Sequence, residues 1–143
     1  MDSLSETQSA ELMELISGVN RRYEQAMEAR LKPTGLPIEQ YRILEALHRK
    51  DGLSMGELAI EVFVDSPTLT KIIDRMITGA DVYRAPDPND RRKVLIFLSD
   101  KGRATLTDVR TVVQGSHAGM IKQLGAGEIG QLRTMLESML RID

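Results

Sequence analysis

Five cations and two threonines, gathered in two short stretches, carry the most telling chemistry of this 143-residue chain. Ser66 to Met76, SPTLTKIIDRM, sets Ser66, Pro67, Thr68, Thr70, Lys71 and Arg75 at the start and on one side of a helical repeat. Asp87 to Lys93, DPNDRRK, sets Arg91, Arg92 and Lys93 beside Asp90. Ammonium and guanidinium groups neutralise phosphates, and short polar side chains at a helix start can reach base edges in a major groove. A guanidinium on a projecting hairpin suits the focused negative potential of a narrow minor groove. Other chemistries are not supported. The chain has no catalytic serine elbow, no paired acid and general base, and no glycine-rich phosphate loop, so it does not read as an enzyme and no cofactor is expected. His48 and His117 lie far apart without carboxylates at ligand spacing, so no metal site is expected either.

The segments that must position these groups follow in unbroken order. Ser54 and Glu57 form the two ends of a capping box, with Leu53 and Leu58 spaced for a hydrophobic staple, so a helix starts at Ser54. Ser66 as N-cap and Pro67 at the first helical position predict the start of a second helix a tight turn later. Its apolar face is Leu69, Ile72, Ile73 and Met76, and its polar face is Pro67, Lys71, Asp74, Arg75 and Thr78. Two apolar runs, Val82 to Ala85 and Val94 to Leu98, flank the charged segment Pro86 to Lys93 and predict a hairpin. Ser99 then caps another helix. Helix, turn, helix, hairpin, helix is the order of a winged helix-turn-helix.

These residues resemble the multiple-antibiotic-resistance regulator (MarR) family of bacterial winged-helix transcription factors. The resemblance is carried by MGELAIEVFVDSPTLTKIIDRM, Met55 to Met76, by DPNDRRKVLIFLSDKG, Asp87 to Gly102, and by Gln40 to Leu47 as the preceding helix. It implies a double-stranded DNA operator as partner, a homodimer, and a ligand-responsive repressor; a winged-helix module for protein association is the alternative. It maps the family's Asp-x-Arg pair onto Asp90 and Arg92, the arginine entering the minor groove and the aspartate buttressing it. Arg91 and Lys93 are expected on phosphates, and Lys71 on either a guanine edge or a phosphate. Arg84 is left between a wing aspartate and DNA. The chain departs from the family at Gly79-Ala80-Asp81-Val82, where the glycine comes one residue early and Asp81 replaces an apolar residue; Gly79 is expected to serve as the left-handed helix stop. The absence of cysteine excludes disulfides and the thiol-oxidation sensing of some family members.

Charge supports this reading once it is divided along the chain. The total is −2, but Ser66 to Arg103 holds eight basic residues against five acidic ones, while the first thirty residues sum to −3. An acidic body with a basic reading strip limits nonspecific attraction and still supplies a local field for phosphates.

The remainder is helical by periodicity. A long amphipathic helix is predicted from Glu6 to Leu31, another from Ile38 to Lys50, a long one from Ser99 to about Leu124, and a last one from Glu128 to Arg141. Met13, Met27, Met76, Met135 and Met139 fall on apolar faces and are expected to fill core. The fold class is mainly α: a winged helix-turn-helix with a two-stranded β-hairpin wing, plus N- and C-terminal dimerisation helices. The expected divisions are 38–103 for the DNA-binding region and 1–37 with 104–143 for dimerisation. No run approaches the roughly 18 residues of a membrane span, and the N-terminus lacks a signal pattern, so a cytoplasmic protein without membrane association is expected. The resemblance also implies an effector cavity between the long helices and the reading domain. Arg21, Arg22 and Arg42 could hold an anion there, with Tyr23, Tyr41 and Leu44 as apolar walls; the effector would be a small aromatic or apolar anion. The competing reading is that these arginines are solvated helix faces.

Overall fold

Glu6 to Leu31 forms one continuous helix, α1, over the span its apolar repeat predicts. The computed structural model describes residues 5–141. After α1 a 3-10 turn, Lys32–Thr34, leads into α2, Ile38–Arg49, then α3, Met55–Val62, and α4, Ser66–Thr78. Strands β1, Val82–Asp87, and β2, Asp90–Leu98, precede α5, Asp100–Val113, the short α6, Ser116–Gly119, and α7, Ala126–Leu140. The molecule is thus mainly helical with one two-stranded antiparallel sheet.

The chain divides into two compact units, one of residues 27–113 and one made from both ends, 1–26 with 114–143. The central unit takes in the last turn of α1 and the whole of α5. Met27 and Leu31 of α1, Ile43, Leu44 and Leu47 of α2, Leu58 of α3, Leu69, Ile73 and Met76 of α4, Ile96 of β2 and Leu106 of α5 are its largest fully buried side chains. These are the inward positions of each amphipathic element, and removing that apolar surface from water drives this unit together. The end unit differs. Among the described residues, every buried apolar side chain lies between Met27 and Val113. Leu12, Leu15 and Val19 of α1 and Leu132, Leu136 and Leu140 of α7 remain exposed. The methionines divide in the same way: Met27 and Met76 are core, whereas Met13, Met135 and Met139 are exposed in the single chain.

Three elements depart from expectation by more than one residue at an end. The helix from Ser99 stops at Val113 rather than running to Leu124, because Gly115 takes a left-handed φ of 86° and only a four-residue turn of helix follows; glycine makes that conformation accessible at little steric cost. Ser99 is its cap, as expected, its Oγ accepting from the Gly102 amide at 3.0 Å. The last helix begins earlier, at Ala126, where the Glu128 carboxylate accepts from the Gly125 amide at 2.8 Å. In the wing the strands reach further than the apolar runs, down to a turn of only Pro88 and Asn89, which the Asp87 side chain closes by accepting from Asn89 N at 2.9 Å.

The sheet has one irregularity. Val82 pairs with Leu98, Arg84 with Ile96 and Pro86 with Val94, after which the register jumps to Asp87 with Asp90. Arg91, Arg92 and Lys93 fall inside that jump. At the other end Leu53 forms an isolated antiparallel bridge with Ile96, donating to its carbonyl at 3.1 Å and accepting from its amide at 2.7 Å. The link between α2 and α3 is thereby hydrogen-bonded to the root of the wing.

Candidate nucleic-acid interface

The helix that leads into the site begins as its sequence requires. Ser54 Oγ accepts from the Glu57 amide at 3.1 Å, and the Glu57 carboxylate accepts from the Ser54 amide at 3.3 Å. Those bonds hold the Glu57 carboxyl below its ordinary range. Helix α3 ends at Phe63, a non-glycine residue in the left-handed region with φ 56°. Two residues later α4 starts, and here the expected cap is displaced by one position. Asp65, not Ser66, is the N-cap, and Ser66 and Pro67 lie inside the first turn. Both residues can cap, but the carboxylate places a full negative charge at the positive end of the helix dipole. Asp65 Oδ1 accepts from the Thr68 amide at 2.9 Å and Oδ2 from the Thr68 hydroxyl at 3.0 Å. The Thr68 bonds hold the Asp65 carboxyl low.

Helix α4 presents two clean sides. Leu69, Ile72, Ile73 and Met76 are buried, while Ser66, Pro67, Thr68, Thr70, Lys71 and Arg75 are all exposed. The Thr70 hydroxyl donates to the Ser66 carbonyl at 3.0 Å. The wing carries the second group. Arg92 is 92% exposed at its side chain, yet its backbone amide and its Nε both donate to Asp90 Oδ1, at 3.1 and 3.2 Å. The aspartate thus aims a guanidinium whose other nitrogens face solvent. Arg91 and Lys93 are exposed beside it. Arg84, left open by the sequence, pairs with neither a wing aspartate nor solvent alone: its Nη2 donates to Asp74 Oδ1 of α4 at 2.8 Å.

A helix with an exposed polar first turn, tied to a hairpin with an exposed and braced arginine, matches known proteins. The model of the MarR family matches residues 36–94, which run from the start of α2 into β2. The multiple antibiotic resistance protein MarR of Escherichia coli is 30% identical over 127 residues, 88% of this chain and 88% of that protein. The chain belongs to the MarR family of transcriptional regulators. A solved structure of an Escherichia coli MarR mutant complexed with operator DNA matches with a TM-score of 0.80 at 29% identity, covering 96% of this chain and 99% of that one. CouR from Rhodococcus jostii bound to p-coumaroyl-CoA matches with a TM-score of 0.85 at 25% identity, covering 97% and 98%.

In this MarR-family chain the departure at Gly79 to Val82 has a structural account. Gly79 is right-handed, with φ −77°, and Ala80 takes the left-handed position instead, with φ 64°. Gly79 is therefore not the left-handed stop. Asp81 works in place of an apolar residue because its groups all find partners: its amide donates to the Met76 carbonyl at 2.9 Å and its carbonyl accepts from the Ser99 amide at 3.0 Å. Its carboxylate accepts from the Thr105 hydroxyl at 3.3 Å. The Lys101 ammonium donates to the Gly79 carbonyl. Gly102 packs so close that an added Cβ would sit 2.1 Å from the Asp81 carbonyl oxygen.

One positioning residue was missed by the sequence reading. Asp51, read only as a helix end, accepts from the Leu98 amide at 2.9 Å and from Arg103 Nη2 at 2.7 Å. It joins the α2–α3 link to the end of β2 and the start of α5. Its only sequence signal was an acidic residue before a glycine.

The residues expected to hold an effector are dispersed in character. Arg21 and Arg22 are exposed on α1, and Arg42 is half-buried on α2. Tyr23 contacts His117, hydroxyl to Nδ1, at 3.3 Å. Tyr41 and Leu44 are packed inside the central unit, 3% and 0% exposed. The Tyr41 hydroxyl donates to Glu45 at 2.9 Å, and Glu45 also takes Arg110 of α5 in an ion pair. Burial raises the Glu45 carboxyl, but the hydrogen bonds from Arg110 and Tyr41 outweigh it and leave it below its ordinary range. His48 lies 3.4 Å from Arg110. Among the described residues no cluster of three or more His, Cys, Asp or Glu could hold a metal ion, and no helix is long and apolar enough to cross a membrane.

Proposed function

We propose that this chain is a homodimeric repressor that occupies a pseudo-palindromic operator and leaves it when a small aromatic or apolar anion binds. Thr68, Thr70, Lys71 and the first turn at Ser66 and Pro67 read the major groove, Arg75 touches phosphate, and Arg92, braced by Asp90, enters the minor groove between phosphate contacts from Arg91 and Lys93. The observation that carries this reading is the Asp90–Arg92 pair, in which the Arg92 backbone amide and Nε both donate to Asp90 Oδ1, because an ion pair this exposed adds little to stability and leaves the guanidinium aimed outward. The uncovered apolar faces of α1 and α7 support a dimer built through the two ends of the chain, within the expected segments 1–37 and 104–143, since the end unit has no buried core among its described residues and needs a partner surface. A two-fold dimer puts the half-sites about 34 Å apart, one helical turn.

Fluorescence anisotropy with a palindromic duplex at several salt concentrations tests the reading. Arg92→Ala should lose about 1–3 kcal/mol, most on A·T-rich flanks, and Lys71→Ala should lower the salt slope by about 1 if it neutralises a phosphate. Unchanged affinity in Arg92→Ala would leave the wing without its role and favour a protein-association module.

For the effector, the similar solved structure of CouR bound to p-coumaroyl-CoA supports an aromatic acid or its conjugate. Arg42, half-buried on α2, is the first choice for the anion's partner; Leu44 is fully buried core and offers a ligand no surface. A ligand that prefers the free protein must be weakened by DNA by the same factor that it weakens DNA, typically about 5–150-fold. A thermal-shift screen of aromatic acids, then operator-release titration with wild type and Arg42→Ala, checks both parts. Hits that stabilise the fold but never displace DNA would refute release by ligand.

A further inference from the structure

The two threonines at the start of α4 have both committed the proton of their hydroxyl. Thr68 Oγ1 donates to Asp65 Oδ2 at 3.0 Å, and Thr70 Oγ1 donates to the Ser66 carbonyl at 3.0 Å. The direction of both bonds is fixed by chemistry, because an ionised carboxylate and a carbonyl accept and cannot donate. What these exposed side chains still offer a partner is a γ-methyl group and oxygen lone pairs. Pro67, exposed between them and the cap, adds a ring without an amide proton. Just upstream, Phe63 and Ile60 are each 74% exposed. At the leading edge of α4 the two threonines therefore offer methyl groups and acceptor lone pairs but no free donor, next to the Pro67 ring and the exposed Ser66.

In a major groove the apolar feature is the thymine C5-methyl. On the strength of the DNA-binding reading above, we infer that Thr68 and Thr70 recognise thymine through their γ-methyl groups, with the Pro67 ring alongside, and not through hydroxyl donation to base edges. Their hydroxyls instead hold the first turn of α4 in shape. Lys71, one residue on and exposed, supplies the long donor that the threonines do not.

The test uses the full-length protein and the duplex it selects from a random pool. Each thymine of the half-site is replaced by deoxyuridine, which deletes the methyl and leaves every base-pairing edge intact. Wild type should lose about fourfold for a thymine methyl that the helix covers. In Thr68→Ser or Thr70→Ser, which keep the hydroxyl and lose the methyl, the deoxyuridine penalty should vanish at the matching position. Thr68→Val, which keeps a methyl and loses the hydroxyl, should retain the penalty. Indifference of wild type to every deoxyuridine overturns the inference, as does a penalty that survives in both serine variants or disappears in Thr68→Val. Each of those results leaves operator binding itself intact, whereas a protein that selects no sequence from the pool refutes the DNA-binding reading and this inference with it.

Discussion

Asp74 of α4 and Arg84 of β1 form an ion pair at 2.8 Å that ties the exposed side of the reading helix to the first strand of the wing. The two side chains are 59% and 43% exposed, so solvent screens most of their attraction. A double-mutant cycle with Asp74→Ala and Arg84→Ala should give a coupling of about 0.2–1 kcal/mol in urea unfolding. Strictly additive losses would show that the pair is incidental to the hairpin's attachment.

The turn between α4 and β1 makes two opposite predictions. Gly102→Ala drives a Cβ to 2.1 Å from the Asp81 carbonyl oxygen, and since backbone must move to admit it, the variant should lose about 1–3 kcal/mol or more. Ala80→Gly releases a residue held at φ 64° and should gain about 0.5–1 kcal/mol. Thermal unfolding of both variants checks the pair; a stabilised Gly102→Ala would mean that this contact is not close-packed in solution.

Acid should unfold the central unit through carboxyls held low. Glu45 and Asp65 have folded-state pKa values below their unfolded values, so the native state binds fewer protons than the unfolded one. Their stabilisation is fully present above the unfolded carboxylate pKa of about 4 and is lost as pH falls through the folded values. The Tm should be flat from about pH 7 to 5 and drop below about pH 4. In Glu45→Gln the neutral-pH Tm should fall and the acid slope should become shallower; an unchanged slope would remove the Arg110–Glu45–Tyr41 cluster from the acid response.

Deleting residues 126–143 removes α7, whose described residues are exposed in the single chain apart from half-buried Ile129. Light scattering should then find a monomer, with operator binding lost alongside. Circular dichroism should still record a cooperative transition, because among the described residues the buried side chains lie between Met27 and Val113. A truncated protein that stays dimeric would refute the proposed interface.

Local signals made much of this fold legible. The capping box at Ser54 and Glu57 and the apolar repeat of α1 each act within a few residues, and both structures form where the sequence places them. Ambiguity arose where two residues could play one role. Asp65 and Ser66 are both of capping type, and Gly79 and Ala80 stand side by side where one residue must be left-handed, a position that Ala80 takes. The hairpin tip hid its register because charged residues can belong to strand or turn alike. Least legible were partners far apart in sequence: Asp51 and the Leu98 amide are separated by 47 residues, and no periodicity reports such a pairing. Within the candidate site, the basic residues and the Asp90–Arg92 pair could be named in advance. That the Thr68 and Thr70 hydroxyls are already engaged could not, because residue type does not reveal where a proton goes.

Among the described residues, no side chain of 5–26 or 114–141 is fully buried within one copy of the chain, and that has a consequence for how the protein behaves in quantity. A face completed inside one chain is covered at any dilution, whereas one completed by a second molecule must be met by diffusion. Its occupancy is then governed by mass action. If two copies are needed at the operator, occupancy below the dimer dissociation constant rises with the square of the chain concentration. A modest change in expression or degradation would then shift occupancy disproportionately, before any ligand is involved.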